Sequence, residues 1–234
     1  MDTFEDVKKA LCALANEEKK NILQRFFKTG EGQYGAGDIF LGIPVPQTRK
    51  VAKSYQHLCL KEVEALLCCQ EHECRLCALE ILIFRYKKKI PEEQNEVFNI
   101  YMKNLHNVNK WDLVDLSAPK IVGAHLENRD RSLLYNLAKS DILWERRVSV
   151  ITTLAFVRKN DLKDAFALCK ILLNDKEDLM RKAVGWVLRE AGKKDEALLK
   201  EFLTNNIGNL SRTSLRYAIE RFTPEDRSYF MQLK

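Results

Sequence analysis

The chain has 234 residues, of which 46% are hydrophobic and 31% charged, and its formal net charge is +6. This composition excludes a disordered, collagen-like or low-complexity chain. The chain has 9 glycines and 5 prolines, which are too few turn-forming residues for a turn-rich sandwich or barrel. No apolar run approaches the roughly 20 residues of a membrane helix, and the acidic N-terminus does not resemble a secretory signal. We therefore expect a cytoplasmic protein with no membrane partner.

Apolar residues recur at three- and four-residue spacing along most of the chain, which predicts about a dozen helices of roughly 10–17 residues. Asn16 precedes Glu17-Glu18, so it is a predicted N-cap. The stretch 29–42 contains several glycines and is predicted to be a loop between the second and third helices. Asp175 precedes Lys176-Glu177 and is a second predicted N-cap. Proline is tolerated in the first helical turn, and helix starts are predicted at Pro46, Pro91 and Pro224.

An internal repeat relates the predicted helices. Anchor residues follow one another at steps of 36, 36, 35 and 34 positions, and these anchors are Arg75, Trp111, Arg147, Lys182 and Arg216. A helix pair repeating at this length is typical of helical solenoids. The predicted fold class is therefore all-α, a curved solenoid of HEAT-like antiparallel helix pairs. We expect one domain, 1–234, with a concave groove that binds an extended ligand.

One face of the repeat carries an unusual set of side chains. Each anchor and the residue four positions later lie on the same face of a helix, which places Trp111 with Asp115 and Lys182 with Trp186, in register with Arg147. The alternative interpretation is that the tryptophans fill the core and the charges pair at its rim. The set as a whole favours a surface that binds a ligand.

The charge distribution and this face together indicate nucleic acid. Residues 1–117 carry 17 basic and 17 acidic groups, whereas residues 118–234 carry 22 and 16. Cations displace counterions from a phosphate backbone and indoles pack on sugars or bases. The candidate DNA-binding residues are Arg147, Lys182, Arg146, Arg181, Arg189, Lys120, Arg212 and Arg216. A carboxylate such as Asp115 repels phosphate, so its presence indicates chemistry in which positive charge develops nearby.

The sequence lacks other catalytic signatures. It has no P-loop, nucleophile elbow, HExxH motif or Gly-rich dinucleotide loop. Seven cysteines at irregular spacing do not form a disulfide framework. Cys74 and Cys77 are three residues apart on a predicted helix, but no second ligand pair accompanies them, so buried cysteines are the favoured interpretation over zinc. We expect neither a metal site nor a cofactor.

Four segments in order resemble the AlkD-type DNA alkylation repair family, which consists of HEAT-like-repeat DNA glycosylases. They are Asp38-Ile39-Phe40-Leu41-Gly42-Ile43-Pro44-Val45-Pro46, Trp111-Asp112-Leu113-Val114-Asp115, Trp144-Glu145-Arg146-Arg147 and Gly185-Trp186-Val187-Leu188-Arg189-Glu190. The resemblance implies a monofunctional glycosylase that hydrolyses the N-glycosidic bond of cationic N3- or N7-alkylated purines in duplex DNA. It also implies that the lesion is not flipped into a deep pocket, as it is in base-flipping enzymes.

The resemblance also assigns roles to individual residues. Asp115 is the implied catalytic carboxylate, acting either electrostatically or as a base. Trp111 and Trp186 are implied to pack on the backbone around the damaged nucleotide, and their electron-rich faces attract developing positive charge. Arg147 is implied to hold a phosphate. Acting on a single lesion requires no dimer, so we expect a monomer.

Two other functions are compatible with the same sequence. The first is a non-catalytic HEAT-like module that binds distorted or branched DNA, because the fold alone does not settle activity. The second is a HEAT-type scaffold for protein partners. Release of a methylated base would favour the glycosylase, salt-sensitive binding to DNA junctions without base release would favour the module, and DNA affinity unaffected by Arg147→Glu would favour the scaffold.

Overall fold

The structure is a computed structural model that describes residues 2–234. Its helices in chain order are α1 (Phe4–Cys12), α2 (Glu17–Phe26), α3 (Val45–Ser54), α4 (Leu60–Leu67), α5 (His72–Tyr86), α6 (Pro91–Lys103), α7 (Trp111–Ser117), α8 (Ser132–Leu137), α9 (Leu143–Thr152), α10 (Leu154–Val157), α11 (Lys163–Ile171), α12 (Asp178–Gly192), α13 (Glu196–Asn206), α14 (Arg212–Ala218) and α15 (Pro224–Gln232). A π-helical turn, Pro119–Gly123, follows α7. Across residues 2–234 the β pairing is confined to one bridge between Ile39 and Glu71. The all-α prediction is confirmed.

Most of the predicted helix boundaries are confirmed. Helices α6 and α15 begin at prolines, and Pro46 is the second residue of α3. The Asn16 side chain accepts a hydrogen bond from the Lys19 amide at 2.9 Å and caps α2. The predicted cap at Asp175 is wrong, because α12 begins three residues later and its N-cap position is Glu177.

The helix-pair repeat is also visible in the order of elements. The five helices that carry the anchors are α5, α7, α9, α12 and α14. Between successive members lies at least one further helix, such as α6 or α13. Several helices are shorter than predicted, and α10 has only 4 residues. In the described part of the chain, none of the helices combines the length and hydropathy that a membrane crossing requires.

The helices gather into two compact units, a first that ends at Leu113 and a second that comprises Val114–Lys234. The prediction of one domain with one concave groove stays a prediction. In the first unit, α5 is the central element and packs against α1, α3, α4 and α6. Almost all residues of α5 are buried, and these include the charged residues Glu73, Arg75 and Glu80. Buried charges require charged or hydrogen-bonded partners, so the contacts of these side chains determine much of the packing of this unit.

In the second unit, α12 is the central element and packs against α9, α11, α13 and α14. Gly185 lies where α12 meets α14. A Cβ atom at this position would lie 2.6 Å from the Ser214 carbonyl oxygen and 2.5 Å from the Tyr217 Cβ. The absence of a side chain therefore allows the two helices to approach closely, and this contact fixes the segment of α12 that presents Trp186.

Candidate functional site

The centre of the candidate site in the second unit is an ion pair between Asp115 and Arg147. Asp115 lies on α7 and Arg147 on α9. The arginine Nε donates to Asp115 Oδ1 at 2.8 Å and Nη2 donates to Oδ2 at 2.8 Å. A bidentate pair of this kind fixes the plane of the carboxylate as well as its position. The Asp115 side chain is 17% exposed, so the oriented carboxylate is accessible at its edge.

Arg147 is itself held firmly by the second unit. Its Nη1 donates to the Leu179 carbonyl oxygen at 2.6 Å, and the residue is 5% exposed. Each of its three nitrogens therefore donates to an acceptor within the unit. The phosphate contact implied for Arg147 stays a prediction, since a phosphate would have to share or replace these acceptors. The geometry itself assigns to Arg147 the orientation of Asp115.

Trp186 is half-buried on α12 and lines a shallow cavity of about 240 Å³. Arg158, Lys193 and Lys194 line the same cavity, together with Glu190. Burial alone would raise the pKa of Glu190, but the ammonium group of Lys193 and the charge of Arg189 hold it below its ordinary value. The indole is thus placed beside a predominantly cationic surface, an arrangement suited to an anionic backbone.

Trp111 belongs to the first unit, where it is half-buried at the start of α7. Its ring stacks on Phe27 with centroids 5.3 Å apart and an interplanar angle of 13°. Phe26 meets it edge-on, with centroids 5.9 Å apart, and is 61% exposed. Offset and edge-to-face pairs are the favoured arrangements of aromatic rings. The indole is therefore supported on one side by a buried ring and bordered by an exposed one.

Beneath these rings lies a buried network of charges. The Asp38 carboxylate accepts from Arg75 Nη2, lies 3.2 Å from His72 Nδ1 and lies 3.5 Å from Lys110 Nζ. The other ring nitrogen of His72, Nε2, lies 2.8 Å from Asp112 Oδ2. The side chains of Asp38 and His72 are 1% and 3% exposed. The segments around Asp38 and Asp112 stand out in the sequence, but nothing in the sequence pattern indicates that His72 joins them.

Burial and the neighbouring charges shift the pKa values of this network in opposite directions. Burial alone would lower the pKa of His72, but the charges and hydrogen bonds of Asp112 and Asp38 raise it to about 9. Burial would raise the pKa of Asp38, but the His72 hydrogen bond and the charges of Arg75, His72 and Lys110 lower it to about 2. Burial lowers the pKa of Lys110 despite the neighbouring Asp38. At neutral pH His72 is therefore an imidazolium.

The segment 38–46 has its conformation fixed by Glu73. Glu73 Oε1 accepts from the Gly42 and Ile43 amides at 2.9 and 3.1 Å, and Oε2 accepts from the Leu41 amide at 2.9 Å. Gly42 has φ +82°, and a Cβ there would lie 2.1 Å from the Asn16 carbonyl oxygen. The glycine and the buried glutamate together explain the backbone conformation at residues 41–43. Its role in the structure is to shape the first unit around His72.

The eight predicted DNA-binding cations differ in burial and in their partners. Five of them form ion pairs or hydrogen bonds within the second unit. Arg146 pairs with Asp175 and Lys182 with Asp178, both at 2.7 Å, Arg189 contacts Glu190 and Glu220, Arg181 Nε donates to the Asp175 carbonyl, and Arg147 pairs with Asp115. Lys120 is half-buried, whereas Arg212 and Arg216 are exposed. The exposed pair can contact a ligand without breaking an internal ion pair.

The structure groups the cysteines differently from the sequence pattern. Cys74 lies next to Cys69 and Glu71, with donor atoms within 4.8 Å of one another, rather than acting with Cys77. Lys8 Nζ already lies 2.7 Å from Glu71 Oε1. Three donors, one of them paired with an ammonium group, fall short of the four ligands of a structural zinc site. We assign no metal ion to this cluster.

These observations define the class of protein. It is an all-α protein of repeated helix pairs, with an oriented carboxylate and half-buried tryptophans on helices that also carry many basic residues. The sequence profile described as "DNA alkylation repair enzyme" matches residues 7–222. The chain therefore belongs to the DNA alkylation repair enzyme family, and this membership assigns it a role in the repair of alkylated DNA.

Two solved structures share the fold. A predicted DNA alkylation repair enzyme from Enterococcus faecalis is 19% identical, with a TM-score of 0.70, over 90% of this chain and 97% of its own. The protein smu.31 from Streptococcus mutans is 16% identical, with a TM-score of 0.55, over 94% of this chain and 99% of its own. At these identities the likeness concerns the fold. A comparison with curated proteins found no match.

Proposed function

We propose that this protein is a monofunctional DNA glycosylase that removes cationic N3- or N7-alkylated purines from duplex DNA without flipping the lesion into a deep pocket. The observation that carries this proposal is the bidentate ion pair that holds Asp115 at 2.8 Å from both Arg147 donors. An alkylated purine that already bears a positive charge leaves as a neutral base, so it requires little acid assistance. The protein's main task is to stabilise the sugar as it becomes cationic.

The proposed reaction begins at the N-glycosidic bond of the damaged nucleotide. The N-glycosidic bond breaks with its electron pair going to the cationic purine, which departs as a neutral alkylpurine. The sugar carbon becomes oxocarbenium-like and is stabilised by the negative charge of Asp115. Water then adds to this carbon and releases one proton to bulk water, which leaves an abasic site. Asp115 acts electrostatically in this scheme; its alternative role is to accept the proton of the attacking water.

The tryptophans and basic residues serve binding in this proposal. Trp111 and Trp186 pack on the DNA backbone around the lesion, and their ring faces attract positive charge. Arg212 and Arg216 are exposed and contact phosphates. Arg147 acts mainly by orienting Asp115, because its nitrogens already have acceptors. The proposed ligand is double-stranded DNA, bound by a monomer without a cofactor.

The test is chromatography of bases released from methylated duplex DNA. Wild-type protein is expected to release 7-methylguanine or 3-methyladenine, and Asp115→Asn is expected to slow release about 100-fold or more while DNA binding is retained. Asp141→Asn, at an exposed aspartate of the second unit, is the matched control and should retain full activity. Tight, salt-sensitive binding to branched DNA without any released base would instead support the non-catalytic module.

A further inference from the structure

His72 connects two parts of the first unit through its two ring nitrogens. Nδ1 faces Asp38 at 3.2 Å and Nε2 faces Asp112 at 2.8 Å. Asp112 is the second residue of α7 and directly follows Trp111. A hydrogen-bonded imidazolium at this point therefore anchors the first turn of α7, where the indole is attached.

The imidazole also reaches Trp111 through stacked rings. Phe40 lies on the His72 ring with centroids 4.4 Å apart and an interplanar angle of 22°. Phe27 lies 5.2 Å from the His72 ring and stacks in turn on Trp111 at 5.3 Å. Phe40 and Phe27 are 1% and 5% exposed, so these contacts are shielded from water. Two independent paths, one polar and one aromatic, thus run from His72 to the same indole.

The surrounding charges make the protonated form of His72 the one that fits. Arg75 and Lys110, on the side of Asp38, oppose protonation, but each ring nitrogen of His72 faces a carboxylate, and only the imidazolium can donate from both nitrogens. Asp112 Oδ2 bonds to His72, whereas its Oδ1 is buried without a hydrogen-bond partner among the described residues. The nearby Glu71 is neutralised by Lys8 of α1. Loss of the imidazolium charge would therefore leave the Asp112 carboxylate without its hydrogen-bonded cation. The Asp112 side chain is 18% exposed, so water could replace that cation only in part.

We propose that His72, held between Asp38 and Asp112 by its two ring nitrogens, is a positioning residue that fixes the indole of Trp111 for contact with damaged DNA. Its effect on activity rests on the glycosylase function proposed above, whereas its effect on the indole does not. His72 contacts no substrate in this proposal. It acts through Asp112 and Phe27, and removal of its charge loosens Trp111 without removing Asp115.

The direct test is ¹⁹F NMR of protein labelled with 5-fluorotryptophan. The chain has 3 tryptophans, so three resonances are expected, and Trp111→Phe identifies the relevant one. This resonance should shift or broaden as the pH rises through about 9, where the raised pKa of His72 places its deprotonation. The resonances of Trp144 and Trp186, in the second unit, should not follow the same transition.

Variants extend the test to the neutral side chain. In His72→Gln the Trp111 resonance should be displaced at neutral pH and should lose the transition near pH 9. His57→Gln is the matched control, because His57 pairs with Asp2 at 2.7 Å but its side chain is 63% exposed. That variant should leave the Trp111 resonance unchanged. If His72→Gln fails to fold, the pH titration of the unsubstituted protein still decides the question.

Activity supplies the second readout. His72→Gln should lower the single-turnover rate of base release at saturating protein about tenfold, with a smaller change in DNA affinity. If no base is released by any form of the protein, the proposed function fails, while the ¹⁹F titration still tests the positioning role. A Trp111 resonance that is unchanged through pH 10 and in folded His72→Gln would overturn the inference.

Discussion

Asp115 and Arg147 lie 32 residues apart along the chain, yet both oxygens of the aspartate accept hydrogen bonds from the arginine. This pair joins α7 to α9, and the Leu179 carbonyl extends the contact to α12. One arginine therefore ties α9, α12 and the second-unit part of α7 together while it orients the proposed catalytic carboxylate. Structural stability and catalytic geometry depend here on the same side chain.

Replacement of Arg147 should therefore reduce stability strongly. Arg147→Ala removes a buried bidentate partner, and we expect a loss of about 3–5 kcal/mol in the free energy of unfolding, measured by chemical denaturation. Arg212→Ala, at an exposed arginine, should change it by less than about 0.5 kcal/mol. Equal, small effects of the two substitutions would contradict the role assigned to the pair.

Substitutions of Arg146 and Arg216 should have different effects, the first on stability and the second on DNA binding. Arg146 is held by Asp175, whose side chain is 5% exposed, whereas Arg216 is exposed beside a cavity of about 520 Å³. We expect Arg146→Ala to lower the unfolding free energy by about 1–3 kcal/mol. Arg216→Ala should leave it unchanged but weaken DNA binding and reduce the salt dependence by about one phosphate contact. Denaturation and binding titrations at several salt concentrations distinguish the two.

The buried imidazolium predicts how stability depends on pH. The pKa of His72 is raised from 6.5 in the unfolded chain to about 9 in the folded one. Its contribution, about 3 kcal/mol, is therefore fully present below pH 6.5 and is lost as the pH rises through 9. Urea denaturation between pH 6 and 10 should show this decline. In His72→Gln the decline should be absent, and an unchanged slope in that variant would argue against the assignment.

At the acidic end, Asp38 should produce the opposite dependence. Its pKa is lowered from 3.8 to about 2, so its contribution is present above pH 3.8 and is lost as the pH falls towards 2. Asp38→Asn should lower the unfolding free energy at pH 6 and make it less sensitive to acid than in the wild type. Circular dichroism during acid titration measures both effects.

Two adjacent cysteines provide a test in which exposure and acidity oppose each other. Cys68 is exposed as a residue, but its thiol group is partly removed from water, which raises its pKa. Cys69 is less exposed, but a hydrogen bond from Cys74 and, against the effect of burial, the charge of Lys8 lower its pKa to about 7. Because the thiolate is the nucleophile, iodoacetamide at pH 7 should modify Cys69 faster than Cys68. Peptide mass spectrometry after short reaction times determines the order of modification. Lys8→Ala should slow the modification of Cys69.

The local features of the fold were predictable from the sequence. Apolar spacing gave the helices, the prolines marked the starts of α6 and α15, and Asn16 marked the start of α2. These features depend on interactions between residues within one or two helical turns, so a single chain suffices to identify them. The prediction at Asp175 was wrong because α12 begins at Asp178, three residues further on. The Asp175 carboxylate instead accepts from the Glu177 amide at 2.9 Å, before the helix begins, and from Arg146, 29 residues away.

The partners of the charged side chains were decided by the tertiary structure. The sequence alone singled out Asp115, Arg147 and Trp111. Its alternative interpretation had the charges of this face pair at the rim of the core, and Asp115 and Arg147 do pair, but it did not indicate that Arg147 would be buried. Nor did it indicate that His72 would join Asp38 to Asp112, residues 34 and 40 positions away. Such contacts depend on which helix faces are packed together and how far water is excluded from them. Periodicity determines which side chains share a face, but only the packed helices determine which charges meet across it and at what pKa.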